Sequence, residues 1–288
     1  MNKVTVCVIT YNHEEFIADC LEGIVRQKTD FDFNIIIGED HSKDQTLLIC
    51  KGYEEKYPNI QIIQRQENVG MLANWFDTIR QADSKYIALC EGDDYWIDER
   101  KLQKEFQILE NNNKYSMVAS NVGELRDNKV VEKVDWRWDK KRNSFKFQDY
   151  LYQLFFHTST VMFRNIDIPD FVYDKQLIQA DIPLFLFLLD KGDLYYLNDY
   201  TSVYRKHDGG ITNSIRNKRA SNRYYSMKFV IKNIRNHTNK KYSNLLNLKL
   251  WMEYYIYQYT ITNSHLHQLL YRSIKLLFLI RIKMDKYV

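Results

Sequence analysis

The sequence predicts an α/β fold: a mostly parallel central sheet flanked by helices, followed by a helical C-terminal appendage. Three observations carry that expectation. Apolar, β-branched runs alternate with segments of helical period through the first hundred residues. A polar cluster follows each of the first four strands, where the ligands of parallel sheets bind. Beyond Gly209-Gly210 the chain turns helical, aromatic and basic.

The elements follow in order. Val4 to Thr10 is the first strand. Asn12 is expected to cap the next helix, with Glu15 completing a capping box. Phe16, Ile17, Cys20, Leu21, Ile24 and Val25 give that helix one apolar stripe. Phe33 to Ile37 is the second strand. Asp44 is expected to open a second helix, carrying Leu47, Leu48 and Tyr53 and ending near Tyr57-Pro58. Ile60 to Ile63 is the third strand, Met71 to Gln81 a helix, and Lys85 to Cys90 the fourth strand. Such alternation builds βαβ units with both sheet faces covered.

Asp98 to Asn112 reads as an amphipathic helix on Leu102, Phe106 and Leu109. Ser116 to Ser120 and Thr158 to Arg164 read as strands. The polar stretch between them, Arg126 to Phe147, holds Trp136 and Trp138 among charges and is expected as a loop or a hairpin over the site. Asp181 to Leu189 is a short apolar helix, and Tyr195 to Leu197 and Ser202 to Tyr204 are short strands. The expected division is a catalytic domain over 1–210 and a basic, aromatic-rich helical region over 211–288.

Composition narrows the classes. The 288 residues are 45% hydrophobic, with three prolines and nine glycines, which suits a large core and excludes fibrous or disordered character. Cys7, Cys20, Cys50 and Cys90 lack CxxC spacing, and three of them lie in apolar periodic segments. They read as free thiols in a reducing compartment. The chain enters a strand at Val4, leaving no room for a signal peptide, and no apolar run approaches the ~18 residues that span a bilayer. A cytoplasmic location is expected. The net charge of +4 conceals an asymmetry: residues 211–288 carry 15 Lys/Arg and 2 Asp/Glu, and residues 1–210 carry 26 and 35.

The sharpest chemical signal is Glu91-Gly92-Asp93-Asp94, directly after a buried strand. Carboxylates that close repel unless a cation lies between them. Mg²⁺ or Mn²⁺ is the usual cation and often also holds a phosphate. The plainer reading is an acidic turn capping the next helix. Thr10-Tyr11-Asn12 ends the first strand, where Tyr11 can stack on a base or simply pack beside a cap. Asp40, in Glu39-Asp40-His41-Ser42-Lys43-Asp44, can accept from a base imide or a ribose hydroxyl; a solvated turn is the alternative. Asn68-Val69-Gly70, with Asn74 a turn later, offers close backbone approach at Gly70 or a plain turn. Asp181 is a candidate general base or an N-cap ahead of Pro183. His207, in Tyr204-Arg205-Lys206-His207, is a ligand of metal or phosphate or a surface histidine.

Taken together, the motifs from Val6 through His207 resemble those of the family-2 glycosyltransferases. The matching segments are Val6 to Asn12, Ile37 to Thr46, Glu67 to Gly70, Glu91 to Trp96, Ala180-Asp181 and Tyr204 to His207, in order over about residues 3–210. The resemblance implies the GT-A nucleotide-diphospho-sugar transferase fold. It also implies metal-dependent transfer of a sugar from a nucleotide-diphosphate donor, a UDP-sugar by expectation, to an acceptor hydroxyl with inversion. Thr10, Tyr11 and Asp40 would then bind the base, joined at the nucleotide by Asn68, Gly70 and Glu91. Asp93, Asp94 and His207 would hold Mn²⁺ or Mg²⁺, and Arg205 and His207 would face the diphosphate. Asp181 would be the catalytic base. The chain departs from the family pattern at Glu91 and Glu39, where Asp is usual, and at Ala180, where Glu is common.

The competing readings are a nucleotidyltransferase, which would need a phosphate loop that Thr10-Tyr11-Asn12-His13 does not provide, and a non-catalytic sugar-nucleotide-binding or assembly protein. The expected partners are the donor and a glycan or lipid-linked acceptor of bacterial surface polysaccharide synthesis. Nucleic acid is not expected. In region 211–288, Leu269, Leu270, Ile274, Leu277 and Phe278 form an apolar face beside Arg272, Lys275, Arg281 and Lys283. Such a face suits an anionic membrane surface, peripheral at the inner side of the plasma membrane, or packing and oligomer contacts through the C-terminal helices.

Overall fold

The first strand, β1 (Val4–Thr10), is buried along nearly its whole length, as a β-branched run with both faces covered requires. In the computed structural model the described residues are 3–126, 129–134, 141–152, 156–174, 177–207 and 219–284. Two compact units form: Met1–Phe145 with Phe155–Asp167 and Gly192–His207, and Lys146–Leu154 with Ile168–Lys191 and Asp208–Val288. Segments 146–154 and 168–191 thus group with the C-terminal helices, although charge alone sets them with the first 210 residues.

In the first unit β1 pairs in parallel with β2 (Phe33–Glu39) and β4 (Tyr86–Glu91), and β2 pairs in parallel with β3 (Ile60–Gln64). The register sets Thr10 beside Glu39 and Ile9 beside Glu91, so three strand ends share one edge. The strands β5 (Tyr95–Trp96), β6 (Tyr115–Arg126), β9 (Met162–Arg164) and β10 (Asp193–Lys206) extend the sheet in the order β3-β2-β1-β4-β9-β6-β10-β5. Two further strands pair off that path, β7 (Lys129–Val134) on β6 and β8 (Ser144–Phe145) on β10. β9 runs antiparallel to β4 and β6, whereas β6 and β10 are parallel, so the second half of the sheet is mixed.

Helix α1 (Ile17–Val25) buries Ile17, Cys20, Leu21 and Ile24 against Val4, Val6, Val8 and Trp96. α2 (Thr46–Lys56) and α4 (Lys101–Asn111) add Cys50, Leu102 and Leu109 to the same core. α3 (Met71–Arg80) buries Trp75, Phe76 and Ile79, and Cys7 on β1 meets its Thr78 carbonyl. All four cysteines are free and buried.

Three expectations are corrected. Asn12 does not cap α1: it takes a left-handed φ of 54°, which Asn tolerates, and its Oδ1 accepts from the Lys43 amide. Phe16 precedes α1 without a side-chain cap. Thr158–Thr160 is a 3₁₀ turn ahead of β9, not strand. The two short strands expected around Tyr195 and Tyr204 are one long strand, β10, carried past register shifts at Leu197/Tyr200 and Tyr200/Ser202. In the polar stretch from Arg126 to Phe147, expected as a loop or a hairpin, Lys129–Val134 pairs antiparallel with β6 as a hairpin strand; Trp136 and Trp138 lie outside the described residues.

The second unit is helical: α5 (Phe147–Tyr152), α6 (Asp181–Lys191), α7 (Arg219–His237), α8 (Ser243–Thr262) and α9 (His265–Met284). α6 buries Leu184 through Leu189 on all sides. Glu253 is buried on α8 between Arg223, 2.8 Å away, and Lys249, 3.1 Å away. The apolar face expected on α9 divides: Ile274 and Phe278 are buried, Leu269 and Leu277 exposed.

Beneath the sheet, Lys101 and Glu105 form a fully buried ion pair at 2.7 Å, and the Lys101 ammonium lies 4.5 Å from the Trp96 ring centre. Desolvation pushes the Glu105 carboxyl up to about 7. We expect Lys101→Met to cost about 3–5 kcal/mol by leaving a lone buried carboxylate, and Lys101→Met with Glu105→Leu to recover most of that loss, read by urea unfolding.

Candidate functional site

The turns that follow β1 and β2 are laced together. Ser42 Oγ accepts from the Asn12 amide at 3.0 Å, Thr46 Oγ1 from the His13 amide at 2.7 Å, and Asp44 Oδ2 from the Glu14 amide at 3.1 Å. Asp44 Oδ1 also accepts from the Thr46 amide; the helix expected to open at Asp44, α2, starts two residues later at Thr46, with Gln45 at the N-cap position. Glu39 is buried, with Oε1 accepting from the Ser42 amide at 2.7 Å.

Asp40 organises the next turn. Its Oδ1 accepts from the Val69 amide at 2.8 Å and its Oδ2 from the Gly70 amide at 3.0 Å, while Asn68 donates to its carbonyl. Gly70 has φ 87°, a conformation that favours glycine. Desolvation raises the Asp40 pKa, and the two amides and Arg65 oppose that rise. Asn74, a turn later, donates to the Gly38 carbonyl at 2.7 Å.

The acidic turn after β4 lies against the end of β1. A Cβ on Gly92 would stand 2.8 Å from Thr10 Cβ and 3.0 Å from His13 Nδ1, so only glycine lets the two approach. Thr10 is buried, its hydroxyl 3.2 Å from His13 Nδ1, and Tyr11 is half-exposed beside it. Asp93 Oδ2 sits 3.1 Å from His207 Nε2 and 3.9 Å from His13 Nε2. Desolvation works to raise the Asp93 pKa, but the His207 hydrogen bond and the charges of His13 and His207 outweigh it, and the net shift is downward.

Asp94 turns the other way. It is buried, and its Oδ1 accepts from the Arg205 amide at 3.0 Å. Its Oδ2 accepts no hydrogen bond and stands 3.4 Å from His157 Nδ1. Desolvation pushes His157 down to about 4, so the imidazole is neutral near pH 7. Desolvation and the neighbouring Asp93 and Glu91 raise the Asp94 pKa well above the usual carboxylate range. Ligand atoms of Glu91, Asp94 and His157 lie within 4.8 Å of one another. This acceptor-rich, cation-poor arrangement of carboxylate oxygens and neutral imidazole suits a hard divalent ion.

Arg205 binds the turn to its surroundings. Its Nη1 donates to the Asp93 carbonyl at 3.1 Å, its Nη2 pairs with Asp19 on α1, and its guanidinium stacks 4.3 Å from the Tyr95 ring centre. Asp181 stands on the helical unit as the first residue of α6, and desolvation pushes its carboxyl up to about 6.

The first unit therefore gathers Thr10, Tyr11, Glu91, Asp93, Asp94, Arg205 and His207 around the ends of β1, β4 and β10, and Asp40, Asn68 and Gly70 at the end of β2. His13 and His157 were not anticipated. His13 has a signal, standing three residues after Thr10 at a strand end. His157 has none, because it lies ahead of a 3₁₀ turn with no periodic pattern.

Residues 5–168, more than half of the chain, match the sequence profile described as Glycosyl transferase family 2. The chain belongs to this family. An uncharacterized protein of Mycobacterium tuberculosis is 30% identical over 225 residues, covering 73% of this chain and 61% of the relative. The chain thus spans about three fifths of that relative's length. The dTDP-rhamnosyl transferase RfbG of Shigella flexneri is 28% identical over 69% of this chain and 71% of that protein. Among solved structures, S. aureus TarS 1–349 in complex with UDP-GlcNAc superimposes with a TM-score of 0.67 at 18% identity, covering 94% of this chain and 79% of that chain. A mannosyltransferase from Pyrobaculum calidifontis in complex with GDP-Man and Mn²⁺ gives 0.58 at 16%, covering 96% and 81%. The family-2 member described here shares the GT-A fold with both.

We expect Asp40→Ala to lower stability by about 1–3 kcal/mol, because it strips the acceptors from the Val69 and Gly70 amides, and Asp40→Asn to lower it less by keeping one acceptor; denaturant unfolding of both variants checks this.

Proposed function

We propose that this family-2 protein transfers a sugar from a nucleotide-diphosphate donor, a UDP-sugar, to a hydroxyl of a glycan or lipid-linked acceptor, with inversion, in bacterial surface polysaccharide synthesis. The observation that carries this reading is Asp93, set between His207 and His13 in the turn after β4. A carboxylate held there, with β1 between it and the Asp40 cluster, suits the divalent ion that accompanies a nucleoside diphosphate. TarS bound to UDP-GlcNAc supports the donor class, and the Mn²⁺ of the Pyrobaculum enzyme supports a divalent ion.

In this reading Tyr11 and Thr10 take the base, with Asp40 toward a uracil-type edge, Asn68 and Gly70 shaping that wall and Glu91 toward the ribose. Asp93 and His207 would hold Mn²⁺ or Mg²⁺, which supplies neutralisation of the charge that the leaving diphosphate develops, and Asp94, turned toward His157, would support the turn instead of sharing the ion with them. His207 takes the diphosphate side, and Arg205 braces the acidic turn beside it. Asp181 accepts the proton of the acceptor hydroxyl as its oxygen attacks the anomeric carbon. Among the described residues no helix is long and apolar enough to cross a membrane. The basic region 211–288 is proposed to meet an anionic membrane surface at the cytoplasmic side, as a lipid-linked acceptor would require.

A base must be deprotonated to act, and the Asp181 carboxyl is pushed up to about 6. We expect kcat/KM to fall about tenfold per pH unit below that value, with a plateau above it. Asp181→Asn is expected to cut turnover about 10²–10⁴-fold with donor binding intact, measured by nucleoside diphosphate release; wild-type turnover removes Asp181 from this role. Asp93→Ala is expected to weaken donor binding in Mn²⁺ by more than about tenfold in calorimetry, while binding without metal changes little.

A further inference from the structure

Helix α9 carries two faces, and only one is used inside the protein. Ile274, Phe278 and Ile282, four residues apart, are buried, and Phe278 meets the Tyr152 ring of α5 at 5.6 Å. Leu266, Leu269, Leu276, Leu277 and Ile280 are between 46% and 61% exposed. At about 100° per residue these five fall within one arc about 100° wide. Ser273 lies in the same arc. Arg272 and Arg281 project about 40° beyond its two edges on the same count.

Scattered exposed leucines are ordinary, but a continuous exposed row on one helix marks a contact surface. Charge selects the occupant. The region from residue 211 onward has 15 Lys/Arg against 2 Asp/Glu. Of those two acids, Glu253 is buried between Arg223 and Lys249. A second copy would bring a like-charged face to this one, which opposes pairing. An anionic surface with an apolar interior satisfies both the row and its basic edges. At about 1.5 Å per residue, the 20-residue helix is ~30 Å long.

We propose that α9 docks flat on an anionic lipid bilayer, with Leu266, Leu269, Leu276, Leu277 and Ile280 entering the boundary between headgroups and acyl chains and Arg272 meeting lipid phosphates. This rests on the reading above that region 211–288 meets a membrane, and it assigns the contact to a face other than the Ile274–Phe278 side. The row adds the apolar contact that basic residues alone do not supply.

The test is co-sedimentation of the full chain with vesicles of phosphatidylcholine alone or mixed with phosphatidylglycerol, without donor or acceptor. The wild type should partition at least about tenfold more to the anionic vesicles. Leu276→Ser with Leu277→Ser should lower that partition about tenfold or more at unchanged circular dichroism. Arg272→Glu should weaken it and make what remains less sensitive to salt. Nucleoside diphosphate release with a soluble acceptor should be unchanged in these variants, so loss of transfer and loss of docking are read separately. Wild-type partition in the leucine variant overturns the assignment to α9, and absence of binding to anionic vesicles overturns the membrane itself. A concentration-dependent dimer that the leucine variant abolishes gives the row to a second copy instead.

Discussion

Three carboxylates in four residues repel, and the fold spends much of its polar bonding on containing them. The backbone of β10 supplies an amide to Asp94, and its last residues bring Arg205 to the Asp93 carbonyl and His207 to the Asp93 carboxylate. His13 approaches from the end of β1. The turn is therefore held by two chain segments, one 80 and one 112 residues away in sequence for Asp93. Without β10, Asp93 would lose its nearest imidazole and keep only the more distant His13.

This explains why the two aspartates diverge. Asp93 faces imidazoles that can carry charge, and its pKa falls. Asp94 faces a main-chain amide and an imidazole kept neutral by burial, and its pKa rises. Neighbouring groups of identical chemistry are set to opposite protonation tendencies by what lies within a few ångströms of each.

The first half of the fold was legible in the sequence because its period is simple: each strand of β1 to β4 is a short apolar run, and the α1 stripe buries as its spacing dictates. Asn12 misled because a capping residue and a left-handed turn residue are the same amino acid. β10 was read as two strands because its register shifts break the alternation around Leu197 to Ser202. At the site, Asp40, Asp93 and His207 were readable as polar residues just past strand ends. His157 was not, because only tertiary pairing brings it to Asp94. On α9 the apolar residues were visible but not which of them the core would take, since that depends on where Tyr152 and the other helices stand.

The lacing of the strand-end turns also sets which positions tolerate change. Lys43, Glu14, Gly70 and Arg205 contribute main-chain amides to this scaffold, and an amide survives replacement of the side chain it belongs to. Asn12, Asp44, Asp40 and Asp94 contribute the accepting oxygens, which only an Asp/Asn exchange keeps, in part, at the same reach. Substitution is thus filtered asymmetrically: acceptors are constrained, and donors are freer except where a second duty intervenes, as at Gly70, Arg205 and Glu14, whose Oε2 accepts from the Gln45 amide. New specificity in such a site can accumulate at the donor positions without loosening the frame that holds it.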